Sequence, residues 1–151
     1  MGSYTKIVVG IDGSNTASKA LTEAARLATA ADAELIVVSC YQPPDAREIS
    51  KWQSESPAEL SWRFTGTAVV EEVLRDAGES VVTEVPEVKS RTRFEEGEPA
   101  ETLIRVAEEE QADLLVVGNK GMTGAGRFLL GNVPNKVSHH SVCDVLIVKT
   151  S

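Results

Sequence analysis

Four short apolar runs, Ile7 to Ile11, Leu35 to Cys40, Leu114 to Val117 and Val145 to Val148, constrain this chain more than any other feature. Each is rich in β-branched residues, and none alternates apolar with polar positions as a strand with one wet face does. Such runs fit strands covered on both faces, the condition of a parallel sheet held between two layers of helices. Parallel neighbours cannot be joined by a tight turn, so the segments between the runs must carry crossovers.

Those segments read as helices. Between the first two runs, Ala17, Leu21, Ala24, Leu27 and Ala28 recur at helical spacing behind Ser14, a possible N-cap. A second helix is expected around Ala68 to Ala77, with Val69, Val70, Val73 and Leu74 inward, followed by a weaker strand around Val85 to Thr92. Ahead of the third run, Leu103, Ile104, Val106 and Ala107 form an apolar face, and Glu98 and Glu101 stand in the first turn, where the helix dipole favours negative charge. Pro134 to His140 is short but helix-compatible. The alternation predicts one α/β domain over residues 1 to 151, a doubly wound five-stranded parallel sheet with helices on both faces and right-handed crossovers. At 151 residues it can bury a core without disulfides or a structural metal. Tyr41 to Gly66, with three prolines and both tryptophans, is a lid, a subunit contact or plain surface structure.

Charge and composition exclude several classes of function. A net charge of -8 argues against nucleic acid or anionic membrane as a partner. Cys40 and Cys143 lie far apart and the only histidines, His139 and His140, are adjacent, so no metal constellation forms and the cysteines read as reduced thiols. No apolar run nears the roughly 18 residues that span a bilayer, and a strand pattern begins within five residues of Met1, so a cytoplasmic protein is expected.

In a sheet of this kind, ligands bind outside the carboxyl ends of the strands, where the winding reverses. Two strand ends are suggestive. The first run leads into Asp12-Gly13-Ser14; Asp12 either meets a ribose hydroxyl or a phosphate-bound cation, or forms a local turn while Ser14 caps the helix. The third run leads into GNKGMTGAGRFLLGN, Gly118 to Asn132, which holds five of the eleven glycines. Missing side chains let backbone N–H groups approach phosphate oxygens, and the helix that follows adds about half a positive charge at its N-terminus. Arg127 and Lys120 are the cations of the loop, and Asn132 offers an amide at the helix cap. Neither GxxxxGK[ST] nor G-x-G-x-x-G fits, because Gly126 is followed by Arg127 and Phe128, and Gly124-Ala125-Gly126 leads to Leu129. No serine or histidine has an evident catalytic partner, so no catalytic residue is assigned.

The spacing Gly118-x2-Gly121-x9-Gly131, the first strand VVGIDGS, the fourth strand ADLLVVG and the closing VPNKVSHHSVCDVLIVK resemble the universal stress protein family over nearly the whole chain. The resemblance implies strand order 3-2-1-4-5 and a homodimer formed through the last strand, Val145 to Val148. It implies an adenine nucleotide, ATP with Mg²⁺ in the first instance, with AMP or cyclic AMP, or a nucleotide-free interaction module, as alternatives. It places adenine near Gly10, Cys40 and Val117, and the ribose and metal near Asp12. The phosphates fall on the turn Gly118, Asn119, Lys120 and Gly121 and on the helix start Gly131, Asn132 and Val133, with Arg127 between. Such a protein is a stress-response regulator rather than a fast enzyme, with slow ATP hydrolysis or autophosphorylation at most. One position departs: the family's Ser or Thr after the last glycine is Asn132 here. The stretch Phe64 to Leu74 loosely resembles actinobacterial-type members associated with cyclic AMP.

Overall fold

A computed structural model describes residues 4–11, 15–41, 66–119 and 132–149. Strands and helices alternate: β1 (Lys6–Ile11), α1 (Asn15–Ala31), β2 (Glu34–Tyr41), α2 (Gly66–Glu84), β3 (Lys89–Glu96), α3 (Pro99–Glu110), β4 (Leu114–Gly118), α4 (Asn132–His140) and β5 (Asp144–Val148). The strands form one parallel sheet in the order β3-β2-β1-β4-β5.

The unbroken apolar runs supply both faces of this sheet. Ile7, Val9, Ile11, Leu35, Val37, Leu114 and Val116 point to the side of α1 and α2. Val8, Ile36, Val38, Leu115 and Val117 point to the side of α3 and α4. On α1, Ala20, Ala24, Ala25 and Ala28 are fully buried, and their small side chains let the helix lie close on the strands. Opposite them, Leu103 and Val106 of α3 are equally buried; truncating Leu103 to Ala removes packing worth about 2–5 kcal/mol. Both α1 and α3 end in a left-handed residue other than glycine, Asp32 (φ 55°) and Gln111 (φ 57°). In each case the next residue's N–H reaches back to the last turn, Ala33 to Ala28 at 2.7 Å and Ala112 to Ala107 at 2.9 Å, the closure known as a Schellman motif.

Two sequence expectations need correction. The second helix runs on to Glu84 and the third strand begins at Lys89, not Val85. Leu74, Ala77 and Val81 form one buried stripe at helical spacing and Val85 is buried just beyond it, so the valines that suggest a strand are the end of the helix's inner face. The strand itself, KSRTRFEE, has no apolar run because it is a sheet edge. The other correction concerns β5, which is also an edge and is only partly covered, with Ile147 36% exposed.

On the α3 side of β3, charge replaces apolar packing. Arg91 pairs with Glu110 and with Glu34 at 3.4 Å; Arg93 reaches Glu110 at 2.8 Å, Glu109 at 2.9 Å and Glu95 at 3.0 Å. Arg105 joins Glu95 to Glu109, at 3.1 Å each.

Candidate functional site

The register of the sheet creates an opening. The β1–β4 ladder ends at Val9 opposite Val116, whereas β1 stays paired with β2 through Ile11–Ser39 and β4 with β5 through Gly118–Val148. The two central strands therefore part over their last two residues. This is also where the winding reverses, since β1 leads to α1 on one face and β4 follows α3 on the other.

Gly10 and Val117 flank this opening, and Cys40 stands one strand over, two residues beyond Val38, the register partner of Gly10. Strand alternation continues Val8 to Gly10, Val38 to Cys40 and Leu115 to Val117, so all three lie on the α3/α4 face at the carboxyl ends of three neighbouring strands. Val117 and Val133 are buried in the same cluster, and half-buried Cys40 packs against it. Gly118 closes β4, and the Asn119 N–H donates to the Val148 carbonyl at 2.9 Å, turning the chain toward β5. Helix α4 begins at Asn132, where the sequence places the end of the glycine stretch. Asp12, Lys120, Gly121, Arg127, Gly131 and the Asn132 side chain lie outside the described residues, as does the Ser14 cap.

Sequence reading missed how α3 enters the site. Glu98 is the N-cap rather than a first-turn residue: its carboxylate accepts from the Ala100 N–H at 3.2 Å and the Glu101 N–H at 2.9 Å. Gly97 before it has φ 145°, and a Cβ there would stand 2.5 Å from Thr102 Oγ1, so glycine is required at that turn. The signal was present as Gly97-Glu98-Pro99, with proline at the first helical position. Lys136 of α4 places Nζ 3.8 Å from Glu98 Oε1 and links the two helices. Burial, with the charges of Glu95 and Glu98 behind it, pushes the Cys40 thiol up to about 12. That thiol is protonated at neutral pH and a poor nucleophile.

Other chemistry finds little support among the described residues. No group of three or more His, Cys, Asp or Glu could hold a metal there. The Ser138 hydroxyl donates to the Asn135 carbonyl, and the Ser141 hydroxyl accepts from the Cys143 N–H, so both serve local backbone. A groove of about 660 Å³ lies between α1 and β5, lined in part by Thr22, Arg26, Leu146 and Val148. No described helix is long and apolar enough to cross a membrane.

Comparison with known proteins points one way. The Universal stress protein family matches residues 3–149. A universal stress protein of Mycobacterium tuberculosis is 42% identical over 154 aligned positions covering 100% of both chains. A solved universal stress protein in complex with cyclic AMP superposes with a TM-score of 0.73 at 35% identity, covering 98% of each chain. The universal stress protein UspA of Lactobacillus plantarum gives 0.77 at 25% identity, covering 98% of this chain and 99% of its own.

Proposed function

The chain belongs to the universal stress protein family, and from that membership we propose that it binds an adenine nucleotide in the opening between β1 and β4 and acts as a stress-response regulator. The observation that carries this reading is the parting of the two central strands beyond Val9 and Val116, with Gly10, Cys40 and Val117 on one face of the gap. A flat apolar base suits that face. The phosphate side falls to the turn from Gly118 through Asn119, Lys120 and Gly121 and to the start of α4 at Gly131, Asn132 and Val133, with Arg127 as counter-charge. Residues 1 to 151 act as one such domain, in the cytoplasm.

The number of phosphates divides two readings. ATP with Mg²⁺ follows from the glycine spacing; the ion would be held through the phosphates, with Asp12 as a candidate protein carboxylate. A single-phosphate ligand, AMP or cyclic AMP, is favoured by the relative in complex with cyclic AMP and by Asn132, which lacks the family's compact hydroxyl. Calorimetric titration with ATP plus Mg²⁺, AMP and cyclic AMP separates them. No heat with any of the three at millimolar ligand would sink the nucleotide reading and leave a nucleotide-free interaction module.

The functional unit is a homodimer formed through β5. Its Val145-Leu146-Ile147-Val148 run is an incompletely covered sheet edge, a template for pairing with a second copy.

A further inference from the structure

We infer that Glu98 is a specificity-determining residue: its carboxylate fills the anion position at the N-terminus of α3, so the crevice takes an adenine ligand of low charge and disfavours a polyphosphate. The inference rests on the nucleotide reading above.

Two helices begin near the carboxyl ends of the strands on the face of Cys40 and Val117: α3 after β3, and α4 after the glycine stretch. A free helix N-terminus attracts anions through its unsatisfied N–H groups and its partial positive charge. In α3 nothing is left to offer. Pro99 has no N–H, Ala100 and Glu101 donate to the Glu98 carboxylate, and the Thr102 N–H donates to the Glu98 carbonyl at 2.9 Å. The terminus presents a full negative charge in place of a partial positive one.

That charge sits beside the opening. Glu98 follows Glu96, the last residue of β3, which pairs with Tyr41 next to Cys40 at the end of β2, and Lys136 of α4 places Nζ 3.8 Å from the Glu98 carboxylate. The close turn at Gly97, with no room for a Cβ against Thr102, fixes where the cap can stand. Lys136 offsets part of the charge, while Arg93 and Arg105 are engaged by Glu95, Glu109 and Glu110. The N-terminus of α3 is thereby closed to a phosphate. Cyclic AMP carries the least negative charge of the adenine nucleotides and ATP the most, so the cost of standing near Glu98 grows in that order.

Glu98→Ser tests this, because serine keeps an N-cap acceptor without the charge; Glu98→Gln is the second variant should the first unfold. Adenosine, cyclic AMP, AMP and ATP are titrated into full-length wild type and variant at low salt with EDTA. The expected result is adenosine affinity unchanged, cyclic AMP tightened about threefold and ATP about tenfold or more. The gains should shrink at roughly 0.5 M salt. Equal changes for all four ligands, or no tightening with charge, would reduce Glu98 to a helix cap and overturn the inference alone. Wild type that binds none of the four overturns the nucleotide reading, and this inference with it.

Discussion

Val9 of β1 and Val116 of β4 form the last rung between the two central strands, and beyond them each strand stays paired only with its outer neighbour. The sheet opens at its middle while its flanks stay closed. A gap made this way is lined by rigid backbone, which positions a ligand better than mobile loops do.

A bulky side chain on the wall of this gap should act on binding more than on folding. Cys40 is half-buried at the end of β2, on the face shared with Gly10 and Val117. Cys40→Phe is expected to weaken adenine-nucleotide binding by about tenfold or more, the scale of overfilling a packed site. Cys40→Ala should stay within about threefold, since only a small side chain is lost. Wild-type affinity in the Phe variant, measured by calorimetry, would take Cys40 off the base-binding face.

The turn into α3 gives a stability prediction. With φ 145° and Thr102 Oγ1 only 2.5 Å from where a Cβ would stand, Gly97→Ala meets both backbone strain and a clash. A loss of about 2–3 kcal/mol is expected in urea unfolding. Removing the clashing atom in Gly97→Ala with Thr102→Ala should give a total loss below the sum of the two single changes, because the residues touch. Strict additivity would mean the contact is not the cause.

The central strands were legible because burial on both faces writes itself as an unbroken apolar run, and β1, β2 and β4 fall where Ile7, Leu35 and Leu114 announce them. The edges were not. β3 is held by Arg91 and Arg93 reaching across to carboxylates of β2 and α3, and such pairing leaves no mark in a hydrophobic pattern. Val85, buried just past the helix with its N–H bonded back to the Val81 carbonyl, supplies a false strand start, since a single buried β-branched residue looks the same in either element. At the site, Gly10, Cys40 and Val117 were reachable only through resemblance, because which residues of neighbouring strands share a face at their carboxyl ends depends on register. Glu98 was visible as an acid near a helix start, but that its carboxylate caps the helix beside the opening needed the fold.

Asp113 should give the protein an acid-sensitive tie. Its Oδ2 accepts from the Thr5 N–H at 2.6 Å, the Thr5 hydroxyl at 2.7 Å and the Lys6 N–H at 3.1 Å, and these bonds hold the carboxyl below its usual range. A lowered folded-state value means the stabilisation is full above the unfolded value, about 3.9, and is lost as pH falls through the folded one. Asp113→Ala is expected to cost about 1–2 kcal/mol at neutral pH. The gap to wild type should close as unfolding is measured at progressively lower pH. A gap that does not change with pH would show that charge plays no part.

Glu110 anchors the charged lattice under β3. It receives Arg91 and, at 2.8 Å, Arg93, with Lys6 Nζ at 3.8 Å, and its side chain is 13% exposed. The Arg91 hydrogen bond, aided by Arg93, brings its carboxyl down to about 2, so its contribution is full above about 4.5 and is lost as pH falls toward about 2. Glu110→Gln leaves Arg91 with Glu34, and Arg93 with Glu95 and Glu109. The cost should therefore be about 1 kcal/mol, well short of the roughly 3–5 kcal/mol that follows when a buried charge loses its only partner. Loss on the larger scale in chemical denaturation would show that the remaining carboxylates do not compensate.

The exposed edge of β5 predicts the oligomer. Ile147 is 36% exposed on an outermost strand whose sequence is apolar from Val145 to Val148. Pairing with the same strand of a second copy would satisfy the free backbone groups and cover those side chains. Ile147→Lys places a charge on that edge and, in a symmetric pair, opposite or near its own copy. Sedimentation velocity at tens of micromolar should find wild type as a dimer and the variant as a monomer. Because dimerisation stabilises by mass action, wild-type Tm should rise with protein concentration and the variant's should not. A monomeric wild type would remove β5 as the interface, and an undisturbed dimer in Ile147→Lys would move the interface to another surface.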